Sequence, residues 1–441
     1  MMPDPLQIVK TKRPIAVDLF AGSGGMTLGF EQAGFDVLAA VEIDPIHCAV
    51  HQYNFPLWSV FCEDISKLSS DKIRIYSSIK NQDIDVVFGG PPCQGFSLMG
   101  KRLLEDPRNL LVFHFVRIVA ELKPKFFVFE NVKGMASGKH QNFIQELINK
   151  FEYYGYQVQQ PYQVLNAAYY GVPQKRERLF LLGCREDLAL PNYPEPTFQP
   201  PYSQVAKRYS HLPPTPTVRE ALQDLPKIEN YPELTQQDWA DVCFDKPSFY
   251  GKILRGIAKN VNDYSYPRQY NSRRLTSSLR TEHSIESIER FAATPPGKTE
   301  PISRFHKLDP DGLCNTLRAG TPSSRGAYTS PRPIHPFIPR CITVREAARL
   351  HSYPDWFRFH VTKWHGCRQI GNSVPPLLAQ AVAAEMIKLL KIQPKKPENK
   401  IKLGDEELLR FDMSKAAQYY GVDPHIIAPR TRRINQVATI P

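Results

Sequence analysis

The sequence predicts an α/β protein built on a doubly wound, mostly parallel sheet, with a smaller irregular domain inserted late in the chain. Three observations predict it. Five short apolar runs of strand length alternate with helix-period segments between residues 14 and 184. A Gly-rich turn follows the first run directly, as at the carboxyl edge of an open parallel sheet. The texture changes near Arg185 to a long Pro-rich stretch without period, and regularity returns only after about Pro339.

The five runs are IAVDLF, FDVLAAVEI, DIDVVFGG, FFVFENV and ERLFLLG, with helical patterns such as MTLGFEQAG and LLVFHFVRIVAEL between them. PNYPEPTFQPP and HLPPTPT open the irregular stretch, which is too long to be a loop of a compact domain and reads as a domain of its own. TVREAARLHSYPDWF and an amphipathic helix over SVPPLLAQAVAAEMIKLLK restore regular structure. In RQIGNSVPP a Gly-Asn-Ser turn leads into that helix, with prolines at its start. PKKPENK reads as a linker, and DEELLRFDMSKAAQYYGVDPHII as helical. The expected division is 1–185, 186–335, a return segment 336–395 completing the first domain, and a linker with a helical tail over 396–441. No internal repeat is visible.

The 441 residues suffice for two domains, and 42% hydrophobic content supports a substantial core. Lys and Arg exceed Asp and Glu by 12. That excess suits a polyanionic partner, nucleic acid first, although charge alone equally serves solubility. The N-terminal segment has no apolar core of a signal peptide, and no apolar run approaches the roughly 18 residues of a membrane span. The 8 Cys residues form no C-x-x-C pair, so neither a metal site nor a disulfide framework is expected, and a reducing, cytosolic compartment fits.

Five segments carry candidate chemistry. Asp18, Phe20, Gly22, Gly24 and Gly25 form the Gly-rich turn, and Glu42 ends the second strand 20 residues beyond Gly22, where an acid takes ribose hydroxyls. Asp64 follows the third element and could accept from an adenine amino group. Turn and acid point to an adenosine-bearing ligand and leave NAD and S-adenosylmethionine both open, although Thr27 breaks the G-x-G-x-x-G pattern. GGPPCQGFS follows a strand directly, so Cys93 stands at the sheet's carboxyl edge with Pro91 and Pro92 stiffening its approach. Taken alone, such a Cys is more often a small inert apolar residue than a nucleophile. Glu130 in FENV would face the same edge, or simply cap a helix. Gln174, Arg176 and Arg178 alternate on one strand face, suited to phosphate or a base, or to an ordinary charged edge. Asn372 and Ser373 belong to the fifth segment, the Gly-Asn-Ser turn.

Together these segments resemble the cytosine-5 DNA methyltransferase family of prokaryotic restriction-modification type, over nearly all of residues 14 to 390 and in the family's linear order. DLFAGSGG is similar to its cofactor loop and GGPPCQGFS to its catalytic loop, while ENV, QKRER, TVREAARLHSYPDWF and RQIGNSVPP match further blocks. The resemblance implies the S-adenosylmethionine-dependent methyltransferase fold, S-adenosyl-L-methionine as cofactor and double-stranded DNA as substrate. It implies Cys93 as nucleophile, Glu130 on ring nitrogen 3 of a flipped-out cytosine, and Arg178, Arg176 and Gln174 orienting base and loop. It places Phe20 on the adenine, Glu42 on the ribose and Asp64 on the adenine amino group. Ile43, Ile65, Pro91, Asn372 and Ser373 complete the cofactor pocket with the glycines. Residues 186–335 take the place of the target-recognition domain. Expected DNA contacts are Gln94, Ser97, Lys101, Arg102, Arg108, Arg273 and Arg274, and Asn315-Thr316-Leu317 resembles a short Thr-containing block of that domain. The family's RNA-modifying branch, which acts on tRNA, is the alternative; the long basic middle region favours DNA. A monomer in the cytoplasm, associated with the nucleoid, is expected, either beside a cognate restriction endonuclease that acts on the same site without direct binding or as a stand-alone methylase. The tail reads as a surface helix, or as a helix-turn-helix with a basic end.

Overall fold

The computed structural model describes residues 13–92, 110–136, 138, 141–201, 208–320 and 333–427. One sheet holds β1 (Ile15–Leu19), β2 (Asp36–Glu42), β3 (Ser59–Cys62), β4 (Val86–Gly89), β5 (Phe126–Val132), β6 (Tyr156–Val158), β7 (Gln163–Asn166) and β8 (Glu177–Arg185). Their order is β3-β2-β1-β4-β5-β8-β6, with β7 also on β8. The pairs among β1 to β5 are parallel, and β8 runs antiparallel to β5, β6 and β7. The five predicted runs are β1, β2, β4, β5 and β8. Strands β3, β6 and β7, three or four residues long, are not among those runs. Chain order reverses between β1 and β4, which sets the ligand crevice of such a sheet at their carboxyl ends.

The central strands are covered on both faces, which is why they read as continuous apolar runs. Val17, Val87, Phe127 and Phe129 face one core with helices α4 (Leu110–Leu122) and α5 (Gln141–Tyr153). Ala16, Val86, Phe88 and Val128 face the other, against α1 (Gly25–Ala33). On the β2 side lie α2 (Pro45–Asn54) and α3 (Ser70–Ile75). The Asp44 side chain caps α2, with Pro45 at its first position.

The Pro-rich region carries short helices α6 (Val218–Leu222), α7 (Phe249–Leu254) and α8 (Ile285–Ala293) and two-residue strands β9 (Ala240–Asp241), β10 (Arg268–Gln269) and β11 (Arg274–Leu275). Helices α9 (Val344–Leu350), α10 (Lys363–Asn372) and α11 (Pro376–Leu390) follow, the first opened by a Thr343–Glu346 capping box. The expected Gly-Asn-Ser turn differs: Gly371 and Asn372 end α10, which sequence reading missed, and the break into α11 is Ser373–Pro375. Lys363–Leu390 contains an 18-residue stretch apolar enough for a membrane span, but 56% of that stretch is buried, and α11 lies against α1. There a Cβ on Gly29 would sit 2.4 Å from the Ala379 Cβ. Val218, Tyr250 and Leu308 share one apolar cluster with α9 and α11, fastening the irregular region to the core. The tail adds β12 (Ile401–Lys402), paired with β10, and α12 (Met413–Tyr420), which packs on α2.

Candidate active site

A cavity of about 760 Å³ opens at the carboxyl ends of β1, β2, β4 and β5. Its floor is the turn after β1. Phe20 and Gly22 both take left-handed backbone, at φ 63° and 56°, and a Cβ on Gly22 would meet nothing within 4 Å. Glycine is the economical residue for a turn that faces open space in that conformation. The Glu42 carboxylate pins the turn: Oε2 accepts the Gly22 N–H at 2.7 Å, and Oε1 accepts those of Ile43 and Asp44 at 2.9 Å. Glu42 lines the cavity together with Asp18, Phe20, Gly25 and Ile43. Gly24 caps α1 at φ 99°. Behind the turn, the Thr27 hydroxyl donates to Asp18 and lies 3.0 Å from His51 Nε2. Burial raises the Asp18 carboxyl well above the usual carboxylate range and lowers His51 to about 3.

The opposite wall carries Glu130 and Arg178, joined Oε1 to Nε at 2.9 Å. The antiparallel register sets this up: Val132 faces Arg178 and Glu130 faces Phe180. Burial pushes the Glu130 carboxyl up, and the Arg178 and Arg176 guanidiniums pull against that rise. A Cβ on Gly90 would meet Glu130 Oε2 at 2.4 Å, so a side chain there would displace that carboxylate. The chain leaving β4 therefore runs against this carboxylate, and Pro91 and Pro92 line the cavity. The Asn131 amide donates to the Pro91 carbonyl at 3.1 Å and fixes that exit. Cys93, Gln94, Ser97, Lys101, Arg102 and Arg108 lie outside the described residues.

Gln174 and Arg176 take a different place from Arg178. Both are fully buried, and neither is among the described residues lining the cavity. Gln174 accepts from the Leu317 N–H, and Arg176 donates to the carbonyls of Leu317, Gly371 and Ser373 at 2.7–2.9 Å. They hold two cavity walls, Thr316–Ala319 and Gly371–Ser373. Thr316 itself donates to the Lys175 carbonyl at 2.6 Å. Asn372 and Ser373 line the cavity as expected. Asp64 and Ile65 do not: the Asp64 carboxylate accepts the Ser66 N–H in a local turn, and Ile65 is buried in the core. Arg273 is exposed at the surface, whereas Arg274 pairs with Asp241 and covers the Trp239 ring at 3.9 Å. Sequence reading also missed Arg318, Arg368, Ile426 and Ile427 as cavity residues. Among the described residues no group of His, Cys, Asp or Glu could hold a metal ion.

An open α/β sheet with a paired carboxylate and guanidinium across a cavity from a Gly-rich turn defines the class, and comparison with known proteins places the chain within it. Residues 15–388 match the model of the C-5 cytosine-specific DNA methylases, and the chain belongs to that family. It is 54% identical over 426 residues, 97% of each chain, to the type II methyltransferase M.XorII of Xanthomonas oryzae pv. oryzae. It is 34% identical to M.DdeI of Desulfomicrobium norvegicum, covering 83% of this chain and 87% of that one. A solved prophage-encoded DNA modification methyltransferase from E. coli superposes with a TM-score of 0.68 at 35% identity, over 86% of this chain and 99% of that one. The protein is a DNA (cytosine-5-)-methyltransferase of type II restriction-modification type.

Proposed function

We propose that this enzyme binds S-adenosylmethionine in the cavity and methylates carbon 5 of a cytosine flipped out of duplex DNA, through a covalent bond to Cys93. One observation carries the reading. The Glu130–Arg178 pair, the Glu42 turn and the Pro91–Pro92 exit leading directly to Cys93 all border the same cavity.

The cavity's donor set fits the cofactor: Phe20 and Ile43 offer apolar faces to a purine, Glu42 accepts from ribose hydroxyls, and Asn372 and Ser373 offer polar groups to the amino-acid end. When bound, S-adenosylmethionine supplies an electrophilic sulfonium methyl group to carbon 5. The protein's task is to make that carbon nucleophilic. The Cys93 thiolate adds to carbon 6, and the ring's π pair shifts to give an enamine. Glu130, held by Arg178, hydrogen bonds ring nitrogen 3 and relieves the charge that builds there. With the methyl group on carbon 5, that carbon's proton passes to solvent, and its bonding pair restores the 5,6 double bond as the sulfur–carbon 6 bond breaks and the thiolate leaves. A base inside a duplex cannot reach these groups, which requires flipping. Gln174 and Arg176 serve as positioning residues through the walls they clamp. Lys101, Arg102, Arg108 and Arg273 contact phosphates, and residues 186–335 read the target sequence. The enzyme works as a monomer in the cytoplasm, on the nucleoid, and protects sites cut by a cognate endonuclease.

Bisulfite sequencing of DNA from an expressing host, with transfer of labelled methyl to duplex DNA and to tRNA, tests the reading. Methylation at one short duplex sequence is expected. Label entering tRNA and not DNA would overturn it in favour of the RNA-modifying branch.

A further inference from the structure

We infer that the C-terminal tail completes the cofactor site, with Ile426 and Ile427 as an outer apolar wall of the cavity. This rests on the cavity being the S-adenosylmethionine site. The tail's placement begins with α12. Leu408, Leu409, Phe411 and Ala416 form one apolar cluster with Ile46, Ala49, Val50 and Tyr53 on α2. The Tyr420 hydroxyl donates to Gln52 Oε1 at 2.7 Å. Burial, with the Cys48 and Cys62 thiols nearby, raises the Tyr420 phenol. Those thiols donate to the carbonyls of Glu42 and Ile43, so the end of α12 stands where β2 and β3 finish, on the adenosine side of the cavity.

From there the chain is turned inward by local chemistry. Gly421 ends α12 at φ 65° with its N–H on the Ala417 and Gln418 carbonyls. Asp423 then builds a turn: its carboxylate accepts the His425 N–H at 2.7 Å and its carbonyl the Ile426 N–H at 2.9 Å. The turn delivers Ile426 and Ile427 to a cavity whose other lining includes Glu42, Ile43 and Asp44. Ile427 remains 39% exposed, so it contributes little to the protein's own core. An apolar pair at the mouth of a site for a purine nucleoside has a use once the ligand is bound, because it removes the purine face from water.

Equilibrium binding of S-adenosylhomocysteine to the full chain, to Ile426→Ala/Ile427→Ala and to a chain ending at Val422 tests this. The two truncated walls are expected to raise the dissociation constant about tenfold, from apolar area returned to water, with duplex DNA affinity and the ligand-free melting temperature unchanged in the double variant. If the shortened chain folds poorly, the double variant decides alone. Equal binding by wild type and double variant overturns the inference, as does a loss confined to DNA. No binding by the wild type overturns the cofactor reading itself, and the wall with it.

Discussion

Arg178 Nε lies 2.9 Å from Glu130 Oε1, with 12% and 11% of the two side chains exposed. Burial alone would drive the carboxyl towards its neutral form, and the adjacent guanidinium opposes that. Burial is the larger influence, so the carboxyl stays raised above its ordinary value, and in the proposed reaction it would serve ring nitrogen 3 as a hydrogen-bonding partner. Glu130→Gln keeps the shape and removes the carboxyl. It should lower the turnover number by about a hundredfold or more while leaving S-adenosylhomocysteine affinity unchanged. Steady-state kinetics with calorimetry checks both; wild-type turnover would remove Glu130 from the chemistry.

The second prediction concerns Cys93, reached two residues after the Pro91 carbonyl that Asn131 holds. A hydroxyl is a far weaker nucleophile than a thiolate at neutral pH. Cys93→Ser should abolish methyl transfer and retain cofactor binding. Incubating the wild type with duplex carrying 5-fluorocytosine at the target and S-adenosylmethionine should trap a denaturation-resistant protein–DNA adduct, because carbon 5 then has no proton to lose. Adduct formation by Cys93→Ser would locate the nucleophile elsewhere.

Strands buried on both faces, such as β1 and β4, were legible because burial itself writes the apolar run. Glu42 and Gly22 were legible because a parallel sheet delivers strand ends to one edge, and the hydrogen bond between them closes what spacing suggested. Asp64, expected at the adenine amino group, stands after β3, where one oxygen of its carboxylate accepts the Ser66 N–H. Alternation put Gln174, Arg176 and Arg178 on one face, yet could not reveal that Arg176 would be consumed by carbonyls at 317, 371 and 373. Such partners are set by tertiary packing. Ile426 and Ile427 were hidden for that reason: only the docking of α12 on α2 brings them to the cavity.

His51 gives a pH prediction with a definite sign. Burial lowers its folded value from 6.5 to about 3. Below pH 6.5 the unfolded chain binds a proton that the folded protein refuses, so stability falls as pH falls, until about pH 3. At about 1.4 kcal/mol per pH unit, the loss through this residue reaches about 2 kcal/mol at pH 5. Denaturant unfolding at pH 7 and pH 5 should show that loss in the wild type and a correspondingly smaller one in His51→Gln. Identical pH dependence in the two proteins would mean that His51 is protonated in place.

The last prediction tests how firmly the irregular region is joined to the catalytic core. Arg268, in β10, meets both oxygens of Glu31 on α1 at 2.6 and 2.7 Å, and both side chains are fully buried. The guanidinium also stands over the Trp356 ring at 4.6 Å and donates to the Asn54 carbonyl. Removing one partner leaves the other charged, buried and unpaired. Arg268→Met should therefore cost about 3–5 kcal/mol, and the double change with Glu31→Leu should recover much of it, because an apolar pair of similar volume carries no uncompensated charge. Denaturant unfolding of the two single variants and the double variant measures the coupling directly. Additive losses in the double variant would show that the two side chains act separately and that the pair does not join the regions.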